Sequence, residues 1–204
     1  MLKVDILKSP HPYGANTFVL HSLDECAVVD PSVPYRDGLV RGTVRYILLT
    51  HGHFDHIMEI DSWVRASGAE VIVSKADSKM LSDPNLNCFK QFFGLDEGYF
   101  GDKRAVREGD KLLLGDIELS VLECPGHTLG SLTYLADGTA FVGDTVFAGG
   151  GFGRWDLPTG DRIALCSSIS RICSLPPETV LYCGHGETTT VRKYKEETKL
   201  QRII

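Results

Sequence analysis

Three histidines and an aspartate fall within six residues: His51, His53, Asp55 and His56. In an extended stretch, residues i, i+2 and i+4 point to one side, so the spacing predicts that His51, His53 and Asp55 share a face. His56, at the turn into a helix, swings to a neighbouring position. Neutral imidazoles and a carboxylate, with no thiolate among them, suit zinc, iron or manganese. Two further histidines have similar surroundings. Ile117–Cys124 runs into Pro125-Gly126-His127, and Val180–Cys183 runs into Gly184-His185-Gly186. Thr139–Gly143 leads likewise into Asp144. Taken singly, His127 and Asp144 read as ordinary turn residues. Together with the first cluster they make five imidazoles and two carboxylates, enough for two metal ions sharing one bridging ligand.

Groups so far apart in the chain can meet only if the elements that carry them end at one place. Each follows an apolar strand and sits on the turn after it, and sites on α/β sheets collect at the carboxyl ends of strands. The pattern predicts strands at Lys3–Leu7, Thr17–His21, Cys26–Asp30, Val44–Leu49 and Val71–Val73, with short helices at Tyr35–Arg41 and Ser74–Ser82. A longer helix is expected over Asp55–Ser67, with Ile57, Ile60 and Val64 on its apolar face and Gly68 as its stop. Residues 86–103 read as an irregular loop. Strands then dominate: Lys111–Leu114, Ile117–Cys124, Ser131–Leu135 and Thr139–Gly143, punctuated by the hairpin signals Gly115-Asp116 and Asp137-Gly138. Asp161 can cap a helix carrying Leu165, Ile169 and Ile172. A strand at Val180–Cys183 and a charged helix from about Thr188 complete an α/β or α+β sandwich.

The 204 residues fit one domain, 1–204, with 43% hydrophobic and 24% charged residues, ordinary for a globular chain. A net charge of −6 argues against a sequence-independent nucleic-acid binder, which needs a basic stripe. No apolar run approaches the roughly 20 residues of a membrane span, and the N-terminus has no signal-peptide core. The six cysteines include no C-x-x-C pair; reduced thiols and a cytoplasmic location are expected.

The order His51-x-His53-x-Asp55-His56, His127, Asp144, His185 resembles the metallo-β-lactamase superfamily, the four-layer αβ/βα hydrolases. Gly143-Asp144-Thr145-Val146-Phe147-Ala148, Gly153-Arg154-x-Asp156-Leu157-Pro158-x-Gly160-Asp161 and Gly184-His185-Gly186-x-Thr188-Thr189 are similar to the short glyoxalase II-like members. The resemblance implies that His51, His53 and His127 hold one metal, that Asp55, His56 and His185 hold a second, and that Asp144 bridges them. It implies two divalent ions, zinc first, with iron or manganese as alternatives. The activity implied is attack by a metal-bridging hydroxide on the carbonyl of a small-molecule thioester, with Asp55 and Asp144 catalytic. An ester or lactone hydrolase is a variant. Persulfide dioxygenases share the scaffold, with one iron held by the equivalents of His51, His127 and Asp144, and are the alternative.

Two departures from the pattern matter. Met58-Glu59 stands where relatives commonly have a glycine pair. Glyoxalase II enzymes hold glutathione with a Lys and a Tyr after the bridging-Asp loop, where this chain has Arg154 and Asp156, so glutathione preference is expected to be modest. Arg154 is the expected anchor for an anionic substrate, with an ion pair to Asp156 or Asp161 as the competing reading. Cys124 and Cys183 read as core residues. The aromatic run Phe89–Phe93 with Tyr99 and Phe100 reads as core before pocket wall, and Arg192–Glu197 as a solvated helix face.

Overall fold

Consecutive apolar residues in a strand require burial on both faces. The computed structural model, which describes residues 2–198, provides it. Ile47, Leu48 and Leu49 are all fully buried, but Ile47 and Leu49 join one core and Leu48 another. That division is the two-residue period of a strand. Val28 and its neighbours Ala27 and Val29 divide in the same way.

Two six-stranded mixed sheets are formed among the described residues. The first holds β1 (Lys3–Lys8), β2 (Asn16–Ser22), β3 (Glu25–Val29), β4 (Thr43–Leu48), β5 (Glu70–Ser74) and β6 (Arg104–Val106), in that order. Its first three strands are antiparallel, and β3 to β6 run parallel. The second holds β7 (Lys111–Leu114), β8 (Ile117–Glu123), β9 (Leu132–Ala136), β10 (Thr139–Gly143), β11 (Val180–Cys183) and β12 (Thr189–Thr190), where β10 and β11 are the parallel pair. Phe18, Leu20, Leu48 and Ile72 from the first sheet meet Leu119, Val121, Tyr134 and Phe141 from the second. Helices α1 (Phe54–Ile57), α2 (Ile60–Ser67) and α3 (Phe89–Phe93) cover the outer face of the first sheet; α4 (Arg162–Cys173) and α5 (Val191–Glu197) cover the second. The result is the expected four-layer αβ/βα sandwich. No helix among the described residues is long and apolar enough to cross a membrane.

The expected long helix is in fact two. The Glu59 N–H bonds to the Pro31 carbonyl at 2.9 Å, a tertiary partner that takes the place of a helical one and breaks the segment at Met58-Glu59. Residues 35–41 form turns rather than a helix: Gly38 is left-handed at φ +85°, and the Tyr35 N–H is taken by Ser62 Oγ. The stretch read as a Ser74–Ser82 helix is a strand end, a turn and a 3₁₀ turn at Met80–Ser82. Ser74 Oγ accepts the Asp77 N–H and folds the chain back. Within residues 86–103 the short helix α3 appears, bounded by left-handed Cys88 and Gly94. Local signals that held include Asp161, which caps α4 through the Ala164 N–H at 2.8 Å, and Gly68, left-handed at the end of α2. The final helix starts at Val191, capped by Thr190; residues 1 and 199–204 lie outside the described residues.

The carboxyl ends of β3, β4, β10 and β11 share one rim of the sandwich, and specific bonds lock the two sheets together there. Leu132 N–H donates to the Thr50 carbonyl at 2.7 Å, and Tyr134 Oη to the Leu49 carbonyl at 2.9 Å. Asn16, at the start of β2, reaches across to β11: its N–H bonds the Gly184 carbonyl at 2.7 Å and its Nδ2 the Cys183 carbonyl at 2.9 Å.

Candidate metal centre

All seven candidate donor residues meet on this rim. His51 and His53 leave β4 on an irregular stretch; the extended reading stops there, because α1 begins at Phe54 and presents Asp55 and His56 from a helical turn. Donor atoms of His51, His53 and His127 lie within 4.8 Å of one another, and so do those of Asp55, His56 and His185. His53 Nδ1 is 2.9 Å from His127 Nε2, and His185 Nε2 is 3.0 Å from Asp55 Oδ2. Asp144 stands between the sets. Its Oδ1 is 3.3 Å from His56 Nε2, and its Oδ2 is 3.6 Å from both His127 Nε2 and His185 Nε2. The first four histidines are buried, while the His185 side chain keeps 35% exposure and marks the open side.

Divalent cations fit this set, judged by what the donors lack. His51 Nε2, His53 Nε2, His56 Nε2 and Asp144 Oδ1 are buried without a hydrogen-bond partner, which native interiors rarely tolerate. Three of the rings have their other nitrogen engaged. His127 Nδ1 lies 2.7 Å from the Arg154 carbonyl, which can only accept. His56 Nδ1 lies 2.8 Å from Asp30 Oδ2. His51 Nδ1 lies 3.1 Å from Thr50 Oγ1, whose own proton goes to Asp30 Oδ2 at 2.7 Å. Donation from Nδ1 turns each Nε2 into the basin, the usual support of a metal-binding imidazole.

Two buried carboxylates outside the donor set hold the loops. Asp30 accepts from the Thr50 N–H, Thr50 Oγ1 and His56 Nδ1. Its place after an apolar strand matches that of Asp144, so the signal that marked Asp144 also marks Asp30. Asp77 accepts from the Gly52 N–H, Thr128 Oγ1 and the Gly130 N–H, tying the His51–His53 loop to the His127 loop. Nothing in its neighbourhood in the sequence announces this.

The backbone approaches the donors closely at Gly184. A Cβ built there would run into Asp144 Oδ1 and the His56 ring. Gly184→Ala is therefore expected to displace Asp144 and lower bound metal below that of the wild type, while far-UV circular dichroism is unchanged. Elemental analysis of the purified variant checks it.

Burial and company set the charges. Burial, with the neighbouring imidazoles, pushes His51 well below the ordinary histidine range and brings His53 down to about 3, so both present neutral lone pairs. For His56, burial acts the other way from Asp30, Asp55 and Asp144, and the three carboxylates win, raising it. For Asp55 and Asp144, burial is likewise outweighed, by His56 and His185 with the other nearby rings, and both carboxylates are held below their ordinary range. Three carboxylates among these histidines form an anionic basin that a cation balances.

A cavity of about 360 Å³ opens over the donors. It is lined by His53, Asp55, His127, Asp144 and His185, with Arg154, Cys88 and an apolar wall around them. The Arg154 guanidinium is engaged by Asp156 through two bonds, Nε–Oδ1 at 2.7 Å and Nη2–Oδ2 at 2.8 Å. Cys124 and Cys183 are buried in the core beside α4 and α5, and no disulfide joins any of the six cysteines.

Residues 12–185 match the family model described as the Metallo-beta-lactamase superfamily. A hydroxyacylglutathione hydrolase, GloC, of Haemophilus influenzae is 34% identical over 157 residues, 74% of this chain and 73% of that one. Other curated relatives are matched over 58% to 89% of their own length. The crystal structure of the BLEG-1 B3 metallo-beta-lactamase superposes with a TM-score of 0.85 at 30% identity, covering 98% of both chains. TTHA1623, solved in a di-iron-bound form, gives 0.80 at 29% identity over 94% of this chain and 98% of its own.

Proposed function

The chain belongs to the metallo-β-lactamase superfamily, and from that premise we propose that it is a binuclear metal-dependent thioester hydrolase. The observation that carries the reading is the position of Asp144, whose two carboxylate oxygens face histidines of both donor sets. His51, His53 and His127 would hold one divalent ion, Asp55, His56 and His185 the other, and Asp144 both. Zinc is the first choice for this nitrogen and oxygen set, with iron or manganese as alternatives; the di-iron form of TTHA1623 speaks for the second. When bound, such ions polarise a carbonyl and lower the pKa of water.

The chain's own residues divide the remaining work. Asp30, Thr50 and the Arg154 carbonyl fix the histidine rings, so donor geometry is set before substrate arrives. Asp55, kept ionised, faces His185 Nε2 through Oδ2 at 3.0 Å and orients that ring at the open side. Besides the donors and Arg154, the titratable groups on the cavity wall are Tyr13 and Cys88, and burial pushes the Cys88 thiol up to about 11. A leaving thiolate, of ordinary pKa about 8.5, departs without strong acid help, which is why a thioester suits this wall. The likeness to the hydroxyacylglutathione hydrolase GloC supports the same reading. The substrate is a small molecule, the cavity lying at the low end of the roughly 300–1,000 Å³ of such sites.

Protein loaded separately with zinc, manganese or iron(II) is expected to bind two ions per chain and to release thiol from acyl thioesters. Chelation should bring turnover to background and lower the melting temperature, because ligand at about a thousand times its Kd stabilises the native state by about 4 kcal/mol. One tightly held iron, no thiol release, and oxygen uptake with a persulfide would replace this reading by the dioxygenase. Turnover of esters or lactones alone would replace it by that variant.

A further inference from the structure

The cavity wall away from the donors is aromatic and comes from three separate segments. Tyr13, on the turn before β2, faces Phe92 and Phe93 of α3 at ring-centre distances of 6.4 and 6.2 Å. Phe54, the residue before Asp55, packs against the same two rings at 5.2 and 5.1 Å. Tyr13, Phe92 and Phe93 nonetheless keep 57%, 41% and 37% exposure. Rings whose main duty was to fill the core would be covered, as Phe89 on the same helix is at 8%. Pro12, Phe147 and Leu157 continue the wall around the opening, with Phe147 centred 6.0 Å from the His185 ring.

Cationic groups on this wall tell the same story. Arg154 is the lysine or arginine side chain lining the cavity, and Asp156 already occupies its bidentate face. A peptide carboxylate would have to displace that partner to be held. An apolar arm meets no such competition and removes exposed ring surface from water.

We infer that the substrate carries an uncharged, ring-bearing or similarly apolar arm that lies on the Tyr13–Phe54–Phe92 wall while its thioester carbonyl sits over the donors. The arm is of small-molecule size, and it, rather than a peptide thiol, supplies the binding energy remote from the reacting bond. The inference rests on the thioesterase reading for the identity of the bond but on the wall alone for the arm.

Hydrolysis and binding are therefore measured apart. The metal-loaded protein is given the acetyl and phenylacetyl thioesters of N-acetylcysteamine, S-benzyl thioacetate, and S-lactoylglutathione. The two ring-bearing esters place the arm on the acyl or the thiol side. At least one of them is expected to exceed the acetyl reference in kcat/KM by about tenfold or more, the scale on which an apolar pocket discriminates. That ratio should fall towards one in Phe92→Ala, and in Tyr13→Ala on a separate segment. Binding of the unreactive thioether S-benzyl-N-acetylcysteamine, followed by ligand-observed NMR, should weaken by about tenfold in the same variants.

Equal turnover of ring-bearing and acetyl esters would overturn the arm and leave the thioesterase standing. So would a hundredfold preference for the glutathione ester. Benzyl thioether binding that the two substitutions do not change would also overturn it. Thioether binding that depends on both residues, with no thioester cleaved, would support the arm and overturn the bond.

Discussion

Asp144→Ala is expected to empty both halves of the centre at once. The carboxylate lies within 3.3–3.6 Å of His56, His127 and His185, so its removal takes a donor from each set and leaves histidines facing one another across a void. Losing a residue that merely supports a ligand costs about 10–100-fold in metal affinity or activity. Losing the shared donor should cost more, at least about a hundredfold in thioester kcat/KM, with metal content well below two per chain. His51→Ala is the contrast. It removes one imidazole and should weaken one ion while leaving the Asp55, His56 and His185 set loaded. Elemental analysis of both variants beside the wild type separates these outcomes. Two ions and normal turnover in Asp144→Ala would show the assignment of the bridging ligand to be wrong.

Asp30→Ala is expected to produce the largest loss of stability of any substitution outside the donor set. The carboxylate is wholly buried and satisfies three donors, two on Thr50 and one on His56. Deleting it leaves the Thr50 N–H without its acceptor and His56 without the carboxylate that fixes its ring. Breaking a buried charged contact by removing one partner costs about 3–5 kcal/mol, a large share of the 5–15 kcal/mol that holds a typical domain together. Urea denaturation of chelated protein reads this term without the contribution of metal. A second loss should appear on reloading, since the freed His56 ring and the slackened Thr50–His51 segment no longer present their nitrogens to one point. Asp30→Asn, which keeps the shape and one acceptor oxygen, should recover part of the stability and less of the metal affinity. Stability unchanged by either substitution would show that the three bonds are not what anchors this rim.

The candidate donors could be picked out in the sequence because each is announced by its own neighbourhood, an apolar strand running into a turn. The same local grammar gave the hairpin at Asp137-Gly138, where both residues have positive φ, and the caps at Asp161 and Gly68. What stayed hidden depends on contacts between distant residues. The break at Met58-Glu59 follows from a bond to Pro31, and nothing in the helical periodicity of Ile57, Ile60 and Val64 reports it. Asp77 sits in a stretch of helix-forming residues, yet its carboxylate is claimed by Gly52, Thr128 and Gly130 from two other loops. The aromatic run at Phe89–Phe93 was divisible into core and wall only once the exposure of each ring was known. Phe89 turned inward, while Phe92 lines the cavity and Phe93 stays partly exposed beside it. Arg154 shows both sides of the matter. Its guanidinium pairs with Asp156, one of the two partners the spacing offered, while the carbonyl that orients His127 could not have been read from residue type.

The clasp between Asn16 and the Cys183-Gly184 turn joins positions 167 residues apart in the chain, and it has a kinetic meaning. Contacts so far apart in the chain are expected to form late in folding, after each sheet has gathered its nearer neighbours. The basin is complete only when that clasp is made, so the folding transition state has little of it to offer a cation. Interactions absent from the transition state leave the folding rate alone and act on the rate of unfolding. Metal should therefore lengthen the lifetime of the folded chain far more than it hastens its arrival, making the centre a lock rather than a nucleus.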